Sequence, residues 1–283
     1  MITEARMSAT GTRRLSAAAA LAAGLLCWLP EALSQPPGGA QGVPAQDPRA
    51  GALFDITGQW VAVVNEDWRW RMITPPVGDV ASIPVNARGR EAAAAWDLAR
   101  DRAEGQLCRA FGAPGLIRQP TRIRISWDDD DTLRFEFDAG VQTRRFEFGQ
   151  PSPPAEPSLQ GYSSATWARQ TLQLGVFGSR TPPSGALKVV TTHLAPGYLR
   201  PNGVPYSEQA TMTEYFRTFT LPGDGGTWLV VTSVVDDPVY LTTELLMSTQ
   251  FKKETDRASW NPRGCDIRPP LVEREPEPPG PFG

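Results

Sequence analysis

Residues 187–253 read LKVVTTHLAPGYLRPNGVPYSEQATMTEYFRTFTLPGDGGTWLVVTSVVDDPVYLTTELLMSTQFKK and contain four β-strand patterns. These patterns are rich in Val, Thr, Tyr, Phe and Trp, and they cover residues 187–194, 210–219, 227–236 and 245–252. Every interval between them contains Pro together with Gly, Asn or Asp, and these residues favour the backbone angles of tight turns. The region therefore predicts consecutive antiparallel strands.

Further strand patterns precede this region. They cover residues 122–127, 133–138 and 141–148, with another strand expected at 171–176. Residues 89–108 are rich in Ala and contain no β-branched residue, so they predict a helix. About nine short strands and one short α-helix predict a mainly β fold, either an antiparallel β-barrel or a two-layer sandwich.

Residues 61–72 are predicted to form the first strand of this fold. Gly58 lies two residues before Trp60, and a Gly there allows a sharp turn that lets the indole plug one end of the barrel or sandwich. Trp and Arg alternate from Trp68 to Arg71, which in a strand places the Trp side chains on one face and the Arg side chains on the other.

The two ends of the chain predict export and flanking disorder. Residues 1–34 have the basic start, short apolar run and small residues of a cleavable signal peptide, which places the mature protein in the periplasm or outside the cell. Residues 35–52 are expected to be a flexible linker, residues 53–266 a single β domain, and residues 267–283 a disordered Pro-rich tail. The export route, general or twin-arginine, stays open. No second long apolar run follows, so no membrane span is expected after signal removal.

Composition and cysteine content narrow the class further. Lys and Arg number 28 and Asp and Glu 31, giving a net charge of -3, so a nucleic-acid partner is not expected. Three cysteines are present, and Cys27 is removed with the signal. Cys108 and Cys265 remain, and in an oxidising compartment two thiols without CxxC spacing favour a disulfide over a metal site.

Several segments together resemble a group of exported bacterial proteins that are uncharacterised and lipocalin-like, or calycin-like, in type. The segments are DITGQW (55–60), Cys108 with its following Gly-Ala-Pro, DTLRFEFDAGVQTRRF (131–146), NGVPYSEQATMTEYF (202–216) and DDPVYLT (236–242). The resemblance implies export and a β-barrel, and it implies no reaction. GQW matches the first lipocalin motif, whereas DDPVY is a loose echo of the second.

His193 is the one histidine of the chain, which excludes sites that need several histidines. A Ser-His-Asp hydrolase would have to use it, yet no GxSxG motif supplies the serine. In the predicted strand His193 shares a face with Val189 and Thr191. It is either a hydrogen-bonded sheet residue or an acid/base or ligand-contacting group on the cavity side.

The Trp68–Arg71 cluster supports two interpretations. As a site, Arg69 and Arg71 pair with a carboxylate or sulfate while Trp68 and Trp70 stack on a ring. As structure, the same alternation describes a strand with buried Trp and solvated Arg. The acidic run 128–131 is interpreted as a solvated turn rather than a calcium site, because successive strand side chains do not converge.

The longest connection of the strand region carries Tyr198, Arg200 and Tyr206, and binding groups often lie on such loops. Glu214 shares a face with Met212 and Phe216 and is predicted to point inward, where a carboxylate needs a partner. The expected partners of Glu214 are Arg145, Arg200 and Lys188.

Three functions are compatible with these residues. The leading hypothesis is an exported binding or accessory protein that holds a hydrophobic small molecule in a Trp-rich barrel interior. An enzyme is the first alternative, with His193 or Glu214 transferring protons beside a Tyr. An envelope protein-protein interaction module with an open sheet edge is the second. No cofactor or metal is expected, and no residue is assigned as catalytic. The candidate ligand-binding residues are Trp60, Trp68, Arg69, Trp70, Arg71, His193, Tyr198, Arg200, Tyr206 and Glu214.

Overall fold

The computed structural model describes residues 47–149, 152–170, 184–223, 225–256 and 258–271. These residues fall within one compact unit, Pro44–Gly283. The strands are β1 (Gly58–Val63), β2 (Arg122–Trp127), β3 (Thr132–Phe137), β4 (Gln142–Glu147), β5 (Tyr162–Gln170), β6 (Ser184–Thr192), β7 (Gly197–Tyr198), β8 (Pro205–Tyr206), β9 (Thr211–Thr220), β10 (Thr227–Asp236) and β11 (Leu245–Glu254). Nine of them form a closed barrel in the order β1-β11-β10-β9-β6-β5-β4-β3-β2, and β7 and β8 form a separate hairpin. The mainly β prediction is confirmed, with the barrel as the architecture.

The barrel strands pair antiparallel with one exception. β6, β9, β10 and β11 are consecutive neighbours, as residues 187–253 predict. The exception is the parallel pair of β4 and β5, which is limited to Phe146 opposite Ser163 and Glu147 opposite Ser164. The pair is parallel because β5 begins beside the end of β4 and runs in the same direction. The expected strand at residues 171–176 lies outside the described residues.

Aromatic side chains fill the interior of the barrel. Phe135, Phe146 and Phe216 have ring centroids 4.2–5.4 Å apart, and all three are fully buried. Trp60 is also fully buried, and its indole N–H donates to the Ile56 carbonyl oxygen (2.9 Å). Because protein interiors reach crystal-like density when aromatic rings interdigitate in this way, the barrel holds a solid core.

Short helical segments cap the end of the barrel where β1 ends and β11 begins. They are α1 (Trp68–Arg71), α2 (Ala87–Ala94), α3 (Leu98–Ala103), a 3₁₀ helix (Leu107–Phe111) and α4 (Ala113–Leu116). The helix predicted at 89–108 is thus divided. Asp97 accepts hydrogen bonds from the Ala99 and Arg100 amides and starts a new helix, and Gly105 at φ 68° ends it. Local capping therefore overrides the Ala-rich composition.

The strand prediction for residues 61–72 is wrong after Val63. Asp67, four residues after the end of β1, takes a left-handed conformation at φ 51°, which Asp tolerates better than most residues, and it is the N-cap residue of a helix. The next four residues form the single helical turn α1. Trp68 to Arg71 therefore point around a helical turn rather than to two faces of a sheet.

Parts of the predicted linker and tail contact the folded body. The Trp167 indole N–H donates to the Pro48 carbonyl oxygen (2.8 Å), and Arg169 donates to the Gly51 carbonyl oxygen (3.0 Å). Ile267 is buried, and the Leu271 amide donates to the Thr74 carbonyl oxygen (3.0 Å). The predicted signal peptide and residues 272–283 lie outside the described residues. Within the described ranges, no helix has the length and apolarity needed to cross a membrane.

The predicted disulfide is confirmed. Cys108, in the 3₁₀ helix, bonds to Cys265 with a Cα–Cα distance of 5.0 Å across a sequence separation of 157 residues. Cys265 lies beside the β3–β4 turn, where Gln142 Nε2 is 3.7 Å from its sulfur. The bond therefore ties the C-terminal segment to the cap at the end of the barrel.

We expect Cys265→Ser to lower the free energy of unfolding by about 2–5 kcal/mol, because a crosslink over so long a loop restricts the unfolded chain. Urea unfolding of the variant and the wild type measures the difference. A reducing agent should bring the wild type to the level of the variant and leave the variant unchanged. Equal unfolding midpoints in oxidised protein would contradict the expectation.

Candidate functional site

A small cavity of about 60 Å³ lies between the cap and the first residues of β11. Its lining comes from α1, α4, the β7–β8 hairpin and β11, and it includes Asp67, Trp70, Arg71, Ser82, Ile83, Gly115, Arg118, Gln119, Leu199, Arg200, Pro201, Leu245, Leu246 and Met247. Three arginines, Arg71, Arg118 and Arg200, face it together with one carboxylate, Asp67. We call it the arginine cavity.

Arg71 is the last residue of α1 and is 8% exposed. Its Nε donates to the Arg118 carbonyl oxygen (2.9 Å), and Nη1 donates to Glu66 Oε1 (2.8 Å). Nη2 is buried and has no partner within the described part of the chain. Burial, and then the neighbouring Arg118, lowers the pKa of Arg71 to about 10, so the group stays charged at neutral pH.

Arg118 follows α4 and forms hydrogen bonds to two of the segments beside the cavity. Its Nη2 donates to Asp67 Oδ2 (2.6 Å), and its Nη1 donates to the Ser248 carbonyl oxygen and to Thr249 Oγ1 (3.2 Å). Nη1 also lies 3.4 Å from Glu66 Oε1. Arg118 therefore joins the segment after β1 to β11. Burial lowers its pKa, and Asp67 and Glu66 oppose that shift.

Arg200 stands at the tip of the β7–β8 hairpin. The turn that carries it is closed by a hydrogen bond from the Gly203 amide to the Arg200 carbonyl oxygen (3.2 Å), with Pro201 at the second position, where its fixed φ suits a turn. The guanidinium carbon of Arg200 lies 4.9 Å from the centroid of Trp70. Its buried Nη1 meets no partner among the described residues. Burial lowers the pKa of Arg200 to about 10, Arg118 adds to that shift, and Asp79 and Asp67 oppose it.

The cavity combines positive charge with unused donors. Its one carboxylate, Asp67, already accepts from Arg118, whereas Arg71 Nη2 and Arg200 Nη1 are buried donors without acceptors in the described structure. Glu66 Oε2 also lacks a partner there, but Glu66 does not line the cavity. A buried donor left unpaired costs about 1–3 kcal/mol, so an acceptor that enters the cavity relieves that cost. A carboxylate or another small oxyanion matches these donors in size and charge.

Three sequence-predicted residues, Trp70, Arg71 and Arg200, come together at this cavity. Arg69 lies next to it, with its guanidinium carbon 5.5 Å from the Trp70 centroid. Trp68 is 65% exposed and does not line the cavity. Trp60 is enclosed in the barrel core and reaches no cavity lining.

The prediction that His193 lies within a strand is wrong. β6 ends at Thr192, and His193 turns away at φ 54° and is exposed. Its Nδ1 is 2.9 Å from Thr192 Oγ1. His193 lines an open groove with Pro157, Glu208, Gln209 and other residues on a different surface from the arginine cavity.

Tyr198 and Tyr206 are buried in the hairpin and serve its packing. Tyr198 donates to Asp101 Oδ2 (2.8 Å), and burial together with that bond raises its pKa. Tyr206 has no partner for its hydroxyl in the described ranges, and burial raises its pKa, with Arg109 and Arg144 opposing. Neither Tyr lines the arginine cavity.

Glu214 points into the barrel as predicted and is 0% exposed, but its partner is Arg144 rather than Arg145, Arg200 or Lys188. Arg144 donates through Nη1 to Oε1 (3.1 Å) and through Nη2 to Oε2 (2.5 Å) of Glu214. Nη2 also donates to Thr191 Oγ1 (3.1 Å). Arg145, the next residue, is exposed and pairs with Asp128, because successive strand residues face opposite sides.

Sequence reasoning missed Arg118, Asp67, Ser82 and Gly115 in the cavity lining. Ser82 and Asp67 both take positive φ values, 66° and 51°, which cannot be predicted from the residue type alone. At Gly115 an added Cβ would lie 2.6 Å from the Tyr198 carbonyl oxygen, so only Gly allows the hairpin to approach α4. Arg118 carries no local motif, and only its three-dimensional contacts identify it.

The chain was compared with known protein families, curated proteins and solved structures. No protein-family model, curated protein or solved structure matches the chain. Within the described ranges, no group of three or more His, Cys, Asp or Glu side chains could hold a metal ion.

We expect Glu214→Leu to lower the free energy of unfolding by about 3–5 kcal/mol, because it leaves the buried Arg144 charge unpaired. The double variant Arg144→Met, Glu214→Leu should be more stable than Glu214→Leu alone, because it removes the unpaired charge as well. Urea unfolding of both variants tests this. A double variant less stable than Glu214→Leu would contradict it.

Arg118 and Arg200 should respond differently to the same substitution. Arg118→Met breaks contacts to Asp67, Ser248 and Thr249 and should cost about 3–5 kcal/mol of unfolding free energy. Arg200→Met removes a buried charge with an unpaired donor, so its unfolding free energy should stay within about 1 kcal/mol of the wild type, even with the loss of its contact to Trp70. Thermal and urea unfolding of the two variants measure the contrast, and similar losses would contradict it.

Proposed function

We propose that this protein is an exported binding protein that holds a small molecule by an anionic group in the arginine cavity. The observation that carries the proposal is that Arg71 and Arg200 line one cavity and that each has a buried guanidinium nitrogen, Nη2 and Nη1 respectively, with no partner among the described residues. Proteins pair nearly all buried donors, so two at one cavity call for an acceptor. The role is binding, with no chemical change of the ligand.

The proposal moves the ligand from the barrel interior to the cap. The described interior is packed with fully buried aromatic side chains such as Phe135 and Phe216, which disfavours the apolar ligand site expected there from the sequence. Ligand sites commonly lie where loops meet a rigid scaffold, and the β7–β8 hairpin and α1 supply such loops at the barrel end.

Binding is favoured over catalysis because the predicted acid/base residues do not meet. His193 is exposed on another surface, Glu214 is paired with Arg144 inside the barrel, and Tyr198 is bonded to Asp101. Proton transfer needs such groups within hydrogen-bond reach of one substrate. An interaction module with an open sheet edge is also disfavoured, because the nine strands close into a barrel and even β4 and β5 are joined, at Phe146–Ser163 and Glu147–Ser164.

Export and the lipocalin-like family are part of the proposal. The Cys108–Cys265 disulfide supports an oxidising compartment, and the signal-like residues 1–34 support delivery to it. The closed barrel supports the lipocalin-like resemblance at the level of architecture.

We expect the protein to bind acetate and inorganic phosphate in titration calorimetry and Arg200→Met to weaken that binding about tenfold or more, the effect of losing one charge-assisted hydrogen bond. Arg71→Met should have the same effect. The affinity for acetate should not change between pH 6 and 8, because acetate stays ionised and a pKa of about 10 keeps Arg71 and Arg200 charged throughout.

Arg90→Met is the matched control, because Arg90 is an exposed arginine of α2 that does not line the cavity. It should leave both affinities unchanged. Acetamide, which is neutral, should not bind. Equal loss in the Arg90 and Arg200 variants, or binding of neither anion to the wild type, would overturn the proposal.

A further inference from the structure

The arginine cavity has room for a head group and no more. At about 60 Å³ it is well below the roughly 300–1,000 Å³ of sites that enclose a whole drug-sized ligand. The remainder of any larger ligand must lie outside the cavity. The surface that adjoins it therefore indicates what that remainder is.

Trp70 lines both the arginine cavity and a second depression of about 160 Å³. Arg69, Pro76, Asp79 and Leu271 also line this second depression, and the same four residues line an open groove of about 650 Å³. The second depression and the open groove thus share four residues. We call them together the proline groove.

The proline groove is exposed and carries several apolar side chains. Val77 is 45% exposed and Leu271 52% exposed, and both line it with Pro76, Val80 and Pro270. Exposed apolar side chains gathered in a depression mark binding surfaces more often than scattered ones do.

The groove walls are fixed before any ligand arrives. Asn202 Nδ2 donates to the carbonyl oxygens of Pro76 and Asp79, both at 2.9 Å. Asp79 Oδ2 accepts from the Trp70 indole N–H (3.2 Å), and the Leu271 amide donates to Thr74. Because these bonds hold both walls, binding in the groove orders little additional chain.

We infer that the ligand is an amphiphile: a free acid whose carboxylate or similar oxyanion lies in the arginine cavity and whose apolar chain passes Trp70 into the proline groove. The inference rests on the proposed function and adds the chemical class of the ligand. Charge complementarity places the head group, and Trp70, which lines both the arginine cavity and the proline groove, places the apolar chain of the ligand.

A chain-length series tests the inference. Titration calorimetry with acetate, butanoate and octanoate, all below micellar concentration, should show affinity rising at least about tenfold from butanoate to octanoate. A fully buried methylene contributes about fourfold, and an open groove buries only part of each. Octan-1-ol should bind far more weakly than octanoate, because it brings no charge to the cavity.

Two variants of the proline groove test where the apolar chain of the ligand lies. Val77→Ser and Leu271→Ser change exposed side chains and should remove most of the advantage of octanoate while leaving acetate affinity unchanged. Leu221→Ser is the matched control, because Leu221 is 41% exposed and lies outside the groove lining. It should leave both affinities unchanged.

The outcomes separate this inference from the proposed function. Acetate binding with no gain from chain length overturns the amphiphile and leaves anion binding standing. If affinity still rises with chain length in both groove variants, the apolar chain of the ligand does not lie in the proline groove. No binding of acetate or octanoate overturns both. If the protein sediments with phosphatidylglycerol vesicles but does not bind octanoate, the ligand is a lipid held in a membrane, and the inference of a free acid is overturned.

Discussion

The filled barrel interior is the constraint on which the rest of the molecule depends. Phe135, Phe146 and Phe216 meet at the centre, and the Arg144–Glu214 pair satisfies its own charges beside them. A ligand cannot enter such a core without repacking it, and close-packed interiors resist that. The barrel therefore acts as a rigid support, and recognition is carried by the segments that close its end.

Arg118 connects that support to the recognition surface. It bonds Asp67 on the chain leaving β1 and Ser248 and Thr249 on β11, so the two strands that close the barrel also position the cavity. Arg71 and Arg200 then add charge without full hydrogen-bond satisfaction. Such incompletely satisfied groups reduce stability, and functional sites are where proteins tolerate that cost.

Hydrophobic alternation predicted most barrel strands, because a strand with one buried face shows period two wherever it lies; β10 coincides with the predicted residues 227–236, whereas β5 (Tyr162–Gln170) was not predicted. The cap was predicted poorly. Asp67 and His193 take left-handed conformations in segments that were predicted as strands, and composition gives no sign of it. The cavity was found only in part: Trp70, Arg71 and Arg200 stand out as a dense cluster or a long loop, whereas Arg118 acquires its importance from contacts some 130 residues away.

The pairing of β1 with β11 has a consequence for the order of events during biosynthesis. Residues 58–63 are made early and stay without their second neighbour until residues 245–254 have appeared. The disulfide also cannot form until Cys265 has been made, because Cys108 has no partner before then. Contacts this distant in sequence slow folding, since a long loop must close before they form. A nascent chain thus keeps its first strand open to wrong partners until β11 has been made.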